Sequence, residues 1–342
     1  VFSTIYVVSG SLTQPIFGWL TDRIGPRWVA SVGIFWMAAF YGAAMLISSK
    51  TSLIFLVLAS LGSAAFHPAG TMQATLRGRT HYSGHETSAA AYFFVFGQLG
   101  LFFGPVVSGP MLEEYNLVGM LPFAVLAIPA GLFAARQLRK PAVAVRAQKN
   151  DPKALLHSVD RPKTGATLLF FALLAAFQAW AQQNMITFIP KYLSDMGQSA
   201  ATYGLIAALF MGGSALGNLL GGRLADRYGK RKVAFIGLTL AGIPLYFVSL
   251  VGWSPSLYLL IPLAGALTGA THSIIVVLAQ RIIPGGMALA SGLILGFMFT
   301  SGALGTLLSG PVADLWGFPV LFQFTAGITL AAAILALWLQ KS

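Results

Sequence analysis

Apolar runs long enough to cross a lipid bilayer recur from one end of this chain to the other, and nothing else in it restricts the fold as strongly. About 20 residues at helical rise span the hydrocarbon core. Such runs lie near 3–20, 28–48, 52–76, 88–110, 118–137, 165–189, 199–221, 233–252, 255–280, 287–310 and 318–339. Inside hydrocarbon each backbone N–H and C=O must be satisfied within its own segment, which makes these runs helices. The chain is therefore expected to be an all-α polytopic membrane protein with eleven spans. Charged residues make up 9% of it, where a soluble domain carries about a quarter. The runs are too numerous and too late for one signal peptide ahead of a soluble body. There is no cysteine, which excludes a disulfide framework, a thiolate metal site and a cysteine nucleophile.

The net charge of +12 suggests an anionic partner until its placement is followed. If the link after the first span is cytoplasmic, that side receives Arg23, Arg27, Arg77, Arg79, the block from Arg136 to Lys163, the cluster Arg223 to Lys232, Arg281 and Lys341. Of the 21 Lys and Arg residues only Lys50 and Lys191 fall opposite, leaving 19 on one side. The positive-inside rule expects this bias and orients every loop consistently. The basic charge is thus an orientation signal with anionic lipid contact as a side effect, and no nucleic-acid partner is expected. The expected location is a bacterial inner (cytoplasmic) membrane, crossed many times, and the charge bias places the C-terminus on the cytoplasmic side.

The chain also repeats itself. Gly18-Trp19-Leu20-Thr21-Asp22-Arg23-Ile24-Gly25-Pro26-Arg27 returns 204 residues later as Gly222-Arg223-Leu224-Ala225-Asp226-Arg227-Tyr228-Gly229-Lys230-Arg231, both copies in a short link between spans. The stretch Leu58-Ala59 to His67 matches Leu263-Ala264 to His272 at offset 205, and Gly104-Pro105 matches Gly310-Pro311 at offset 206. Such a repeat implies two homologous halves about an axis along the membrane normal. Residues 1–137 form the first bundle, 165–342 the second, and the Lys/Arg/Asp/Pro-rich stretch 138–164 the cytoplasmic linker. The second half opens with a span near 165 whose counterpart would precede Val1, so the first half is expected to lack its first helix.

The doubled G-x-L-x-D-R-x-G-x-R resembles the signature loop of the major facilitator superfamily, and the resemblance covers the whole chain. Within that superfamily the chain is most similar to the fosmidomycin-resistance type of exporter. Leu61-Gly62-Ser63-Ala64-Ala65-Phe66-His67-Pro68, Leu278-Ala279-Gln280-Arg281 and Met287 to Phe297 carry this closer likeness. It implies two pseudo-symmetric six-helix bundles that alternate access to a central cavity, and export of a drug or small metabolite in exchange for protons. A symporter or uniporter for a metabolite such as an organic acid is the alternative. No cofactor is implied, and a monomer is expected.

The resemblance also implies roles. In the signature loops Asp22 and Asp226 would accept hydrogen bonds near the N-terminus of a helix in the opposite half, where the macrodipole favours a carboxylate. Arg77 would complete the first cluster and Arg281 the second, with Gly18, Arg23, Gly25, Arg27, Gly222, Arg227, Gly229 and Arg231 shaping the loops. Such clusters would hold the cytoplasmic side shut; the plainer reading is that Asp and Arg cap a turn and orient the chain. Gly100-x3-Gly104-Pro105, followed by Ser108-Gly109, resembles a motif of proton-driven antiporters, although Ala91 stands where a fuller version has Gly. Small residues four apart permit close helix packing, and Pro permits a kink; packing alone would account for them.

His67 and His272 occupy matching repeat positions within spans. An ionisable group at membrane depth is costly unless it meets water or a partner, and imidazole titrates near neutrality, which suits proton exchange. The other reading is a neutral imidazole bonded to a backbone carbonyl at a kink, with Pro68 directly after His67. No Asp or Glu lies deep within a span, so proton coupling falls to these histidines or to a residue outside this chain. Gln178 and Gln182, one turn apart on one helix face, are candidates for substrate hydrogen bonds, in a polar stretch that also holds Trp180, Gln183 and Asn184. Gln14 and Gln98 join them as candidates, with interhelical hydrogen bonding the simpler role. His81, His85 and Glu86 have metal-ligand spacing, but a solvated loop is favoured and no metal is expected. The absence of G-x-x-x-x-G-K-[ST] argues against an ATP-driven pump. Nothing in the chain suggests an enzyme.

Overall fold

A computed structural model describes residues 2–47, 49–82, 84–138 and 165–339. Its helices are α1 (Phe2–Ile24), α2 (Pro26–Leu46), α3 (Ser52–His81), α4 (Glu86–Tyr115), α5 (Leu121–Gln137), α6 (Gly165–Asp195), α7 (Ala200–Tyr228), α8 (Lys230–Val251), α9 (Leu257–Gly269), α10 (His272–Ile282) and α11 (Met287–Ala336). A short 3₁₀ turn, Asn116–Met120, leads into α5. The interdomain linker expected at 138–164 falls, but for Leu138, outside the described residues, as does Lys341.

Among the described residues nine helical stretches are long and apolar enough to cross a membrane. One of them, α11, has 50 residues, about 75 Å at helical rise against a core of about 30 Å. Its backbone leaves the helical region at Gly317 (φ 82°, ψ 165°), so it is two spans that turn back at that glycine. The 23-residue α1 is not one of the nine but is about 35 Å long, enough to cross. Nine, one more from the break, and α1 make the eleven spans expected. The run 255–280 is one span in two pieces: α9 ends at Gly269, and Ala270 and Thr271 form a turn before His272 opens α10. The matching His67 instead lies within the unbroken α3, followed by Pro68.

The chain groups into two compact units. Unit 1 comprises Val1–Leu76, Val107–Pro162 and Val276–Thr300; unit 2 comprises Arg77–Val106, Lys163–Ile275 and Ser301–Ser342. Each therefore combines one sequence half with a segment of the other.

Both units are assembled by helix backbones in near contact, the mode available where lipid removes the hydrophobic drive between helices. In unit 2, a Cβ added at Gly213, Gly217 or Gly221 of α7 would run into the backbone of Pro262, Ala266 or Ala270, and one at Gly265 or Gly269 into that of Phe210 or Ser214. In unit 1, Gly18 of α1 abuts the carbonyl of Ala288, while Gly292 and Gly296 of α11 abut those of Gln14 and Ser11. Large apolar side chains then fill one interior, where Met185, Phe188, Ile189, Phe210, Leu257 and Phe322 pack together. Leu, Ile and Phe elsewhere stay exposed along the helices, among them Leu259, Leu308 and Phe96, as lipid-facing positions do.

The close packing expected of Gly100 and Gly104 is not found. A Cβ at either would meet nothing within 4 Å among the described residues. α4 makes its close approach nearer its N-terminus, where Ala91, Ser88 and Thr87 lie against Gly222. The physical reason is that α4 meets α7 with the face carrying Ala91, Gln98 and Phe102, against Gly222, Ser214 and Gly212, and Gly100 and Gly104, each two residues on from Gln98 and Phe102, lie on the other side of the helix. The side chain of Pro105 lies outside the described residues.

Candidate functional site

The repeated loops build the same device twice. Asp22 lies at the end of α1, beyond its apolar stretch, and accepts hydrogen bonds from the backbone N–H groups of Ala288 (3.1 Å) and Leu289 (2.8 Å), the first turn of α11. Asp226, at the end of α7, accepts from the N–H of Thr87 (3.2 Å) and Ser88 (2.7 Å) and from Ser88 Oγ (2.7 Å), the first turn of α4. The first amides of a helix have no intrahelical acceptor and carry the positive end of the dipole, so a carboxylate satisfies both at once. Each Asp thus caps a helix from the other half of the sequence.

The flanking glycines are explained by the same geometry. Gly18 and Gly222 let the Asp-bearing helix approach closely enough for the cap, since a Cβ would strike Ala288 in one case and Ala91 in the other. Gly25 (φ 95°, ψ 154°) and Gly229 (φ 94°, ψ 139°) turn the chain into α2 and α8 through a region that is essentially glycine-only. Gly286, which the sequence did not point to, faces the Asp22 carboxylate so closely that any side chain there would displace it. Burial raises the Asp22 pKa from its ordinary 3.8, against the lowering effect of the Leu289 and Ala288 amides.

Around the first cap, the Arg23 guanidinium lies 4.0 Å from the centroid of the exposed Trp19 ring, and Arg27 lies 4.8 Å from that of Trp28. Around the second, Arg227 lies 5.1 Å from Tyr228, and Arg223 donates to Tyr92 Oη. Arg231 is half-buried in the first turn of α8. Arg77 is exposed near the end of α3 in unit 2, and Arg281 is half-buried at the end of α10 in unit 1.

The second cap carries an ionic layer that the sequence reading missed. Glu86, the first residue of α4, pairs with Arg79 of α3 and with Lys230 Nζ at 3.5 Å; Glu86 and Lys230 are both buried. A solvated loop was expected at this glutamate. Burial follows because Lys230 comes directly after the Gly229 turn and is carried against the start of α4. The first copy has Pro26 and Met287 at the matching positions, so it cannot form the layer. Among the described residues no group of three or more His, Asp or Glu could hold a metal ion.

The second constellation lies inside unit 2. Gln178 Nε2 donates to Gln182 Oε1 (3.0 Å) and to the Thr268 carbonyl (3.3 Å). Ser214 Oγ accepts from Gln182 Nε2 (3.3 Å) and from Gln98 Nε2 (2.9 Å). Four helices, α4, α6, α7 and α9, thereby meet at one polar node. His272 packs its ring edge-on against Phe94 (centroids 4.6 Å apart), one turn before Gln98. The N–H of the next residue, Ser273, donates to Asn218 of α7 (3.3 Å). Three of the six polar candidates are thus linked, Gln178 to Gln182 directly and Gln98 to Gln182 through Ser214. Their hub, Ser214, was missed because it reads as one more small residue in a glycine-rich stripe. The rest of the polar stretch faces elsewhere: Trp180 Nε1 and Asn184 Nδ2 both donate to Ser309 Oγ (2.8 and 2.9 Å) on α11.

His67 and Gln14 belong to unit 1. His67 Nδ1 lies 2.8 Å from the Ser63 carbonyl oxygen, the geometry of the plainer reading, and its ring lies 6.4 Å from that of Phe299. Gln14 is buried in α1 beside the α11 crossing.

A bundle of membrane-crossing helices with paired, duplicated helix caps and a buried polar node defines a multi-pass membrane transport protein. The sequence profile described as the Major Facilitator Superfamily matches residues 1–199 and again 168–342. The chain belongs to that superfamily. It is 26% identical over 331 residues to the fosmidomycin resistance protein of Escherichia coli K12, covering 95% of this chain and 80% of that one. It is 29% identical over 323 residues to the MFS-type transporter YfnC of Bacillus subtilis 168, covering 92% and 77%. In fold it matches the E. coli fucose:proton symporter FucP with a TM-score of 0.77 at 15% identity, over 99% of this chain and 90% of that one. It matches the human organic anion transporter MFSD10 with a TM-score of 0.76 at 18% identity, over 98% and 82%. These are transporters, not enzymes.

Proposed function

We propose that this protein is a proton-coupled exporter of a small organic molecule or drug, working by alternating access in a bacterial inner membrane. The observation that carries the reading is the doubled cap: Asp22 on the start of α11 and Asp226 on the start of α4. Each ties an element of one sequence half to an element of the other at the basic ends of the spans. Parting the halves there must break both caps, so they act as a latch on the cytoplasmic side. The likeness to a fosmidomycin resistance protein over nearly the whole chain supports outward transport of a drug-like compound. No carboxylate lies deep in the spans of this chain, and of the groups it does hold there His67 and His272 suit proton carriage, imidazole being the group that titrates near neutrality.

The test is uptake of fosmidomycin, as first probe, into proteoliposomes with an imposed pH gradient. An antiporter accumulates it against an acidic lumen and a symporter from an acidic exterior; uptake indifferent to the gradient removes proton coupling. His67→Ala is expected to abolish gradient-driven uptake while leaving the protein folded. An unaltered pH dependence in that variant takes His67 out of the mechanism.

A further inference from the structure

We infer that the node joining Gln98, Gln178, Gln182 and Ser214 is a subsite for an uncharged hydrogen-bond donor of the transported molecule, a hydroxyl or an amide N–H, and not for an anionic group. The inference rests on the transporter reading and adds the chemistry of what is carried.

The backbone oxygen of Thr268 can only accept, so the Gln178 atom 3.3 Å from it is the nitrogen. That nitrogen also donates to Gln182 Oε1, which turns the Gln182 nitrogen toward Ser214 Oγ. The orientation of two amides is thus set by one carbonyl. One strong acceptor is left over: Gln178 Oε1, on a residue that is 0% exposed, accepts from nothing among the described residues. Gln98, 8% exposed, likewise leaves Oε1 without a donor. Buried carbonyl oxygens are nearly always paired in proteins, and an unpaired one marks a position where a donor is due.

The surroundings decide the charge of that donor's owner. From Thr87 to Leu112, Gly165 to Pro190, Ala200 to Gly222 and Leu257 to Gln280 there is no Lys, Arg, Asp or Glu. A carboxylate or phosphate brought to Gln178 Oε1 would meet the negative end of an amide dipole, with His272, against Phe94, as the titratable group on these stretches. Taking an ion out of water without a counter-charge is far costlier than taking a hydroxyl that finds an acceptor. Gln182 is half-buried where Gln178 is sealed, and so is the more accessible of the two. Its bond to Ser214 is long, and an incoming hydroxyl can replace it by donating to Gln178 Oε1 and accepting from Gln182 Nε2.

The test is equilibrium binding, read as thermal stabilisation of the purified full chain in detergent by matched probes: galactose against galacturonate, and nicotinamide against nicotinate. The alcohol or amide member of at least one pair is expected to stabilise the protein and its acid partner to bind about tenfold more weakly or not at all. Gln178→Met keeps the side-chain length and removes the acceptor; it is expected to weaken the neutral probe about tenfold, the worth of one hydrogen bond. Gln98→Met, on a different helix, is the second variant should Gln178→Met fail to give a monodisperse protein. Stabilisation by the acids, by neither class, or by neutral probes that both variants bind unchanged overturns the inference. No gradient enters the measurement, so its failure leaves proton coupling untouched, and loss of coupling leaves this result standing.

Discussion

Replacing Asp226 by Asn tests the latch most directly. The carboxylate holds two backbone amides and one hydroxyl at 2.7–3.2 Å, and hydrogen bonds to a charged group are worth about 1.5–3 kcal/mol each. Asparagine keeps one oxygen and so retains one or two of the three, but it turns an NH₂ toward a donor and removes the charge favoured at a helix start, worth about 0.3–1 kcal/mol. The difference comes to about 2 kcal/mol, which moves a closed–open equilibrium about 30-fold toward the open side. The absence of cysteine makes the assay clean. Thr87 is fully buried beneath the cap, and Thr87→Cys is a near-isosteric reporter that maleimide reaches only when α7 leaves the start of α4. In the Thr87→Cys background, Asp226→Asn should raise the labelling rate roughly in proportion to the open fraction, about 30-fold by the same conversion. Labelling unchanged within about a factor of two would refute the latch, since a cap that is not holding a closed state cannot release one.

Three further outcomes follow from the same geometry. Glu86→Gln removes the carboxylate that pairs with buried Lys230, and losing one partner of a buried pair costs about 3 kcal/mol; thermal unfolding should show the loss, with recovery in the double variant Glu86→Gln, Lys230→Met. Gly217→Val drives a branched side chain into the Ala266 carbonyl and should abolish a monodisperse protein in size-exclusion chromatography, whereas Gly104→Ala, with open space around it, should change stability by no more than about 0.5 kcal/mol. The folded protein binds the Asp22 proton more tightly than the unfolded chain, because burial raises its pKa from 3.8. Its contribution to stability is therefore full below pH 3.8 and lost as pH rises through the folded value. Asp22→Asn should flatten the pH–stability profile in that window and leave its shape above it unchanged.

How far the sequence could be read depended on whether an interaction is periodic or local. The eleven spans were legible because crossing hydrocarbon forces a run of about 20 apolar residues into helix whatever surrounds it. The capping by Asp22 and Asp226 was implied by the resemblance of the duplicated loop to the superfamily's signature, and the unpaired amides of a helix start give its physical reason. Gly100 and Gly104 misled for the converse reason: small residues permit close approach without requiring it, and here α4 approaches α7 at Ala91 and Gly222 instead. Glu86 was set aside as solvated, since nothing local reveals that Lys230, well over a hundred positions later, is brought against it.

Class and spanning pattern came with the chain itself: the medium imposes them one segment at a time, and each segment's own backbone satisfies them. Which glutamines meet, that Ser214 joins them, that Gln178 is left with a buried acceptor, and that Glu86 and Lys230 are brought together at the second cap were decided only when the helices packed. Those features depend on the rotation and crossing point of one helix against another, set by where glycines let two backbones touch, and no single segment carries that information.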